Sequence, residues 1–156
     1  MRPFKRYRTC GRRAATAVLI GLLSGGIANA QTASPPTRSD LAAEAAAESA
    51  AAQWLALVDG GKYDRSWMQA GDYLRRATTE AAWAASVAHA RGICGALLAR
   101  RVESAYATSY LPDAPPGYYV VLHYASRFVH NSPATETLTL IQDPKGSWRV
   151  VGYYIS

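Results

Sequence analysis

Six side chains in the sequence could carry acid–base chemistry, and their spacing decides whether they could act together. They are Asp72, His89, Glu103, His123, His130 and Glu136. A general acid or base needs a second polar group nearby to stabilise the charge that develops in the transition state. None of the six lies at a spacing typical of a catalytic motif. The spacing therefore predicts no catalytic residue.

His123 and Arg127 come closest to forming a pair, four residues apart in a segment that alternates like a β-strand. Since a strand rises about 3.3 Å per residue, they would lie roughly 13 Å apart, too far to act on one atom. We expect both on the outer face of a sheet, with a binding or interface role. Glu136 shares a strand face with Leu138 and Leu140. We expect it on the surface at the start of its strand, although a cavity under that face would place it near the rim.

The sequence contains no residues at the spacing of a metal-binding or cofactor-binding motif. The three histidines lie on different predicted elements and lack ligand spacing, and there is no glycine-rich phosphate loop or G-x-S-x-G turn. We therefore predict no metal and no cofactor. The nine tyrosines after residue 30 could form a stacking surface for a glycan or an apolar ligand, but tyrosine is also a common strand residue, and we favour that interpretation. Tyr119 and Tyr153 join His123, Arg127 and Glu136 as candidate binding or interface residues.

Residues 1–30 have the organisation of a cleavable secretory signal peptide. Six basic residues and no acidic residue precede an apolar run over residues 14–28, which ends in the small-x-small pattern of Ala28 and Ala30. The run is about 15 residues long, whereas a membrane-spanning helix needs about 20. We predict cleavage before Gln31, export to the periplasm or the medium, and no stable membrane span afterwards.

The charge of the mature chain argues against a nucleic-acid partner. Six of the 17 Lys and Arg residues lie in residues 1–30, and all 11 acidic residues follow them, so residues 31–156 carry no formal net charge. A nucleic-acid-binding protein needs an excess of basic side chains to displace counterions from phosphate. One cysteine remains after cleavage, Cys94, so no internal disulfide can form. We expect it to be a buried apolar side chain.

The rest of the chain predicts one domain preceded by a linker. Residues 31–38 contain two adjacent prolines and predict a flexible linker, and residues 39–156 are long enough for one hydrophobic core. Ser39 is the expected N-cap of an alanine-rich helix over residues 40–59. Asp40, Glu44 and Glu48 recur every four residues on it and predict a solvated acidic stripe.

Two more helices are expected before the sheet. Residues 62–70 predict a short helix that Gly71 ends, and Thr78 is the expected N-cap of a third helix. Apolar residues on the third helix recur at steps of four and three, which predicts one buried face. They are Trp83, Val87, Ala90, Cys94 and Leu97.

From residue 99 the apolar period changes to two, which is typical of strands. Val102, Tyr106, Thr108 and Tyr110 alternate with polar residues in the first strand, and three further strands are expected over residues 118–129, 135–142 and 147–155. Short connections predict an antiparallel meander, and helices followed by strands predict an α+β domain with N-terminal helices packed on a four-stranded sheet. In the second strand Val120, Leu122, Tyr124 and Phe128 form the expected core face, and Tyr119, Val121, His123, Ala125 and Arg127 the outer face. Because the outer face is half apolar, we expect a partner or a second copy on it.

Several segments of the mature chain resemble a bacterial family of exported proteins catalogued as domain of unknown function number 4019. They are residues 52–63 (AQWLALVDGGKY), Ser66-Trp67, Trp83, residues 117–121 (GYYVV), residues 136–140 (ETLTL) and residues 148–155 (WRVVGYYI). The resemblance runs from about residue 45 to the end and implies no activity. More loosely, the order of elements resembles the cone-shaped nuclear transport factor two-like fold, which includes enzymes and pure binding modules.

These features predict an exported, non-catalytic binding or interaction domain whose ligand is an unidentified small molecule or envelope protein, with a homodimer through the outer sheet face as one form of partnering. One alternative is a cone-fold enzyme, isomerase- or dehydratase-like, that uses a pocket carboxylate such as Asp72 or Glu136. The other alternative is a structural component of the cell envelope.

Overall fold

The computed structural model describes residues 35–156, in which four helices precede four strands. The elements are α1 (Arg38–Asp59), α2 (Tyr63–Met68), α3 (Asp72–Ala77), α4 (Glu80–Cys94), β1 (Leu97–Thr108), β2 (Tyr119–Phe128), β3 (Ala134–Gln142) and β4 (Trp148–Ile155). The strands form one antiparallel sheet in the order β1-β2-β3-β4. The predicted α+β class and the four-stranded meander are confirmed.

Helix α1 begins earlier than the sequence predicts because Thr37, rather than Ser39, is its N-cap. The Thr37 hydroxyl accepts a hydrogen bond from the Asp40 backbone at 3.2 Å, and the Asp40 carboxylate accepts one from the Thr37 backbone at 2.9 Å. This reciprocal capping box satisfies two backbone donors that a helix start leaves unpaired. At the other end, Gly61 has a left-handed conformation with φ of 68°, which glycine adopts without steric cost and which ends the helix.

The acidic residues of α1 do not form the expected solvated stripe. Asp40 accepts a hydrogen bond from the Tyr118 hydroxyl at 2.7 Å, and Glu44 accepts one from the backbone N–H of Ala107 at 3.1 Å. Glu44 therefore binds strand β1 and Asp40 binds the residue that precedes β2, and Glu48 alone among the three carboxylates is exposed. Glu44 also satisfies a backbone donor on β1, which is an edge strand of the sheet.

Helix α3 is an addition to the predicted elements, and α4 starts one residue late. Gly71 donates its backbone N–H to Val150 on the β4 edge at 2.8 Å, and the chain then turns into α3 instead of a loop. The N-cap of α4 is Thr79, whose hydroxyl accepts from the Ala82 backbone at 3.3 Å, and not Thr78. The apolar face of α4 is confirmed for Trp83, Val87 and Cys94, which are all buried, whereas Leu97 lies beyond the helix as the first residue of β1.

The inner face of the sheet meets the helices as the alternation predicts. Val120, Leu122, Tyr124 and Phe128 of β2 are all buried on that side. Helix α1 contributes Ala47, Ala51, Trp54, Leu55 and Val58 to the same core. The apolar period of two in β2 and the apolar residues of α1 therefore place one continuous core between the helices and the sheet.

Strand β1 departs from simple alternation because its pairing with β2 shifts register twice, once between Leu97 and Ala99 and once at a β-bulge between Val102 and Ser104. Val102 pairs with Tyr124 and Ser104 pairs with His123, which leaves Glu103 as an extra residue. A bulge reverses the facing of the residues that follow it. As a result Val102 packs against the core, whereas Tyr106 is 45% exposed, and the two do not share a face.

The predicted signal peptide and its cleavage residues Ala28, Ala30 and Gln31 lie outside the described residues, so export and the boundaries of the linker stay predictions. Within residues 35–156, none of the helices combines the length and the apolar character that crossing a membrane requires.

Candidate functional site

Two groups of residues are candidate functional sites, and the first lies between the helices and the sheet, with Glu136 and Arg91 buried and Asp59 at its solvent-exposed edge. This ionic cluster consists of Asp59, Arg91, Arg100 and Glu136, together with Ser126 and Tyr153. Its four charged members come from the end of α1, from α4, from β1 and from β3. Asp59 bonds Nη1 and Nη2 of Arg100 at 2.7 and 3.0 Å and Nη2 of Arg91 at 3.0 Å. Ion pairs therefore connect the helices to the sheet.

Glu136 is the centre of the ionic cluster and is fully buried, so the expectation of a surface position is wrong. Its Oε2 accepts from Arg100 Nε at 2.6 Å and from the Ser126 hydroxyl at 2.5 Å. Its Oε1 accepts from Arg100 Nη2 at 2.9 Å and from the Tyr153 hydroxyl at 2.6 Å. Four donors fill the four acceptor sites of a carboxylate. No lone pair remains to take a proton from a substrate.

Arg91 shows the consequence of that saturation. Its Nη1 lies 3.7 Å from Glu136 Oε1 and has no hydrogen-bond partner among the described residues. Because Oε1 already accepts two hydrogen bonds, a third donor cannot approach to bonding distance. The guanidinium carbon lies 4.8 Å from the ring centre of Phe128, where the π face stabilises the buried cation.

The pKa values of the cluster reflect burial and the paired charges. Burial acts to lower the pKa of Arg100, but hydrogen bonds to Asp59 and Glu136 outweigh it and hold that pKa above its ordinary value. Burial, reinforced by the charge of Glu136, raises the pKa of Tyr153 far above its usual range. Tyr124 lies beside Glu136 in the sheet, and burial raises its pKa to about 12. These groups keep one protonation state at neutral pH, as a structural network requires.

A second buried connection holds the helices together around Ser66. Its carbonyl accepts from Trp54 Nε1 at 2.8 Å, and its hydroxyl accepts from Trp83 Nε1 at 2.9 Å while donating to the Tyr63 carbonyl at 2.7 Å. Trp54 also packs edge-on against Tyr153, with ring centres 5.5 Å apart. The residues that carry the family resemblance therefore meet in the core, next to the ionic cluster.

The second group lies on the opposite side of the β1–β2 hairpin and is accessible. We call it the outer surface. It consists of Leu98, Arg101, Tyr106, His123, Arg127 and Val129. Leu98, Tyr106 and Val129 are 58%, 45% and 52% exposed. The imidazole Nδ1 of His123 lies 3.1 Å from the Thr137 hydroxyl, and its ring centre is 6.4 Å from that of Tyr106.

The five sequence-predicted residues separate into three places. His123 and Arg127 lie on the outer surface, and Glu136 and Tyr153 belong to the ionic cluster. Tyr119 points to the outer side but is only 2% exposed, because the preceding loop covers it. Its hydroxyl donates a hydrogen bond to the Pro115 carbonyl at 2.6 Å. Burial raises the pKa of Tyr119.

Three charged members of the ionic cluster, and Ser126 with them, were not among the predicted residues, and one of the charged members leaves a trace in the sequence. Arg91 lies four residues after Val87 and three before Cys94, so it sits on the apolar stripe of α4. A charged residue on an apolar face signals a buried partner of opposite charge. Asp59 and Arg100 give no such signal, because each lies at a position where solvent exposure is equally compatible with the pattern.

One cavity among the described residues is lined by none of the candidate acids and histidines. A cavity of about 70 Å³ lies between α1, α2 and β4 and is lined by Ala50, Gln53, Trp54, Gln69, Trp148, Arg149 and Val150. Neither Asp72 nor Glu136 lines it. Asp72 is exposed, and its bond to Arg75 holds its pKa below the usual range. Over residues 35–156 no three His, Cys, Asp or Glu side chains come together as a metal site would require.

Comparison with known proteins supports the family resemblance. The family model described as "Protein of unknown function (DUF4019)" matches residues 50–153. No curated protein and no solved structure matches the chain significantly. The looser resemblance to the cone-shaped fold therefore stays a prediction.

Proposed function

The chain belongs to the DUF4019 family, and we propose that it is an exported, non-catalytic interaction domain that binds a protein partner through its outer surface. Export rests on the signal peptide predicted in residues 1–30, with its basic start, short apolar run and small-residue exit.

The exposure of large apolar side chains on one side of the β1–β2 hairpin carries the proposal. Leu98 and Val129 lie at one end of the hairpin, where the Val129 backbone bonds the Ala96 carbonyl at 3.0 Å, and Tyr106 lies farther along β1. Isolated exposed apolar residues are ordinary, but several on one sheet face are typical of interaction sites. His123 and Arg127 lie among them, and aromatic residues and arginine are enriched in protein interfaces.

The ionic cluster supports a non-catalytic role for the inner side. Glu136 is the buried carboxylate that a pocket enzyme would use, and all its acceptor sites are filled by Arg100, Ser126 and Tyr153. A general base must reach the proton that it abstracts, either directly or through one water. A buried carboxylate whose acceptor sites are all filled by donors of the protein itself fits a structural role in this proposal.

Site-specific photo-cross-linking in cells that express the full chain tests the outer surface. A photoreactive phenylalanine derivative replaces Tyr106 in one variant and Met68 in a matched control, since Met68 is 50% exposed on the helical side. We expect a discrete protein adduct from position 106 and none of that size from position 68. Equal adducts from both positions, or none from position 106, would contradict the proposed surface.

Export is tested by determining the N-terminus of the purified protein after cell fractionation. We expect a chain that starts at Gln31 and is recovered outside the cytoplasm. A cytoplasmic chain that retains residues 1–30 would refute the export part of the proposal.

A further inference from the structure

The charges of the outer surface indicate which kind of partner it fits. In the sheet register Arg101 pairs with Ala125, and Arg127 pairs with Ala99, so the two arginines are diagonal neighbours on adjacent strands. Such neighbours lie about 7–8 Å apart. Both are exposed, and neither forms an ion pair with a described residue. This spacing would allow two carboxylates of one extended segment to be bound together.

Acidic side chains are scarce on the same strands. The four strands contain two carboxylates, Glu103 and Glu136. Glu136 is buried in the ionic cluster, so only Glu103, exposed at the bulge, adds negative charge to the accessible side. The outer surface thus carries more positive than negative charge, although residues 31–156 as a whole are formally neutral.

Apolar side chains adjoin the arginines. Val129 follows Arg127 by two residues beyond the end of β2, and Leu98 lies on the neighbouring strand beside Ala99. An ion pair next to apolar side chains is less hydrated and less screened by salt than a fully solvated pair. Guanidinium groups also bind carboxylates through two parallel hydrogen bonds, which adds geometric specificity.

From this arrangement, and resting on the proposed function, we infer that the partner presents an acidic, partly apolar polypeptide segment whose carboxylates bind Arg101 and Arg127 and whose apolar side chains pack on Leu98 and Val129. A second copy of the chain fits less well, because a two-fold interface brings the same positively charged patch from both sides. An anionic membrane also fits less well, because recognition of acidic lipids typically uses clusters of about four to eight basic residues.

Binding of a defined peptide to the full chain tests the inference. The probe is a fluorescein-labelled octapeptide of alternating glutamate and leucine, and the neutral control replaces each glutamate by glutamine. Fluorescence anisotropy at low salt gives both affinities. We expect the acidic peptide to bind about fivefold more tightly, because two exposed ion pairs of ordinary strength give a difference of that size. We also expect its affinity to fall as salt is added.

Matched variants assign the binding to the outer surface. The double substitution R101Q/R127Q should weaken binding of the acidic peptide about fivefold. The control R65Q/R76Q removes two exposed arginines on the helical side and should leave the affinity within twofold. Because all four side chains are exposed, circular dichroism and the melting temperature should stay unchanged in both variants.

Three results would overturn the inference. They are equal affinities for the acidic and neutral peptides, no binding of either peptide, and tighter binding to phosphatidylglycerol vesicles than to the acidic peptide. The cross-linking experiment at Tyr106 is independent of partner charge. If a specific adduct forms there and any of these three results is also obtained, the outer surface remains the proposed interaction site. Only the inference that its partner is acidic would then be refuted.

Discussion

The substitution E136Q tests whether the ionic cluster holds the domain together. It keeps the shape of the side chain but removes the negative charge that Arg100 contacts at 2.6 and 2.9 Å. Asp59 would then be the remaining carboxylate for both Arg91 and Arg100. The amide also introduces two N–H donors among groups that are themselves donors.

The expected loss follows from the burial of Glu136 and Arg91. Glu136 is fully buried and Arg91 is 8% exposed, so water cannot replace the lost charge. Removing one partner of a buried ion pair typically costs about 3–5 kcal/mol, because the other charge stays buried without compensation. Domains of this size are stable by about 5–15 kcal/mol, so the variant should remain folded with a melting temperature lowered by roughly 12–20 °C.

Urea unfolding followed by the fluorescence of the buried tryptophans measures the loss. The control is E103Q, which removes the exposed carboxylate at the bulge of β1 and should change the free energy of unfolding by less than about 0.5 kcal/mol. The double substitution R100M/E136M should be less destabilising than the sum of its single substitutions, with a coupling of about 1–3 kcal/mol. A loss below about 1 kcal/mol for E136Q, or additive single substitutions, would refute the reasoning.

Three further predictions concern hydroxyl groups of the core, each measured by urea unfolding. Replacing Ser66 by alanine should cost about 1–3 kcal/mol, since Trp83 Nε1 loses its buried acceptor; an unchanged midpoint would contradict this. Replacing Tyr153 by phenylalanine should cost a similar amount, because Glu136 loses one of its four donors, and a stabilised variant would argue against it. Replacing Tyr124 by phenylalanine should be neutral or stabilising at pH 7, because its buried hydroxyl has no hydrogen-bond partner among the described residues. With a folded-state pKa of about 12 against a usual value of 10.0, Tyr124 makes stability fall as pH rises from about 10 to 12. The stability of the phenylalanine variant should fall less over that range. Identical stability profiles against pH for the two proteins would contradict the raised pKa of Tyr124.

Local sequence patterns predicted every element except α3, and they predicted the order of those elements. The period of two in β2 correctly predicts which residues face the helices, and the apolar stripe of α4 correctly predicts that Cys94 is buried. Local patterns predicted the ends of the helices less well. Thr37 is the N-cap of α1 and forms a capping box with Asp40, although Ser39, the expected N-cap, has the same capping chemistry two residues later. The choice between neighbouring caps depends on small energy differences that composition does not reveal.

The sequence could not reveal the bulge at Glu103 or its effect on Tyr106. A bulge is defined by pairing with the next strand, and nothing within β1 alone marks the extra residue. Without it Tyr106 would face the core, and the outer surface would lose one of its exposed aromatic side chains.

By itself the sequence determined the α+β class and the four-stranded meander, because hydrophobic periodicity and turn residues act over short distances along the chain. The segments that resemble the DUF4019 family indicated the family, and the family model matches residues 50–153. Only the tertiary structure decided which charged side chains are buried and which partners they bind. Glu136 and Arg100 are 36 residues apart, and Arg100 and Asp59 are 41 apart. Whether a carboxylate at the start of a strand is solvated or buried depends on the partners that folding brings to it, and those partners arrive from distant elements.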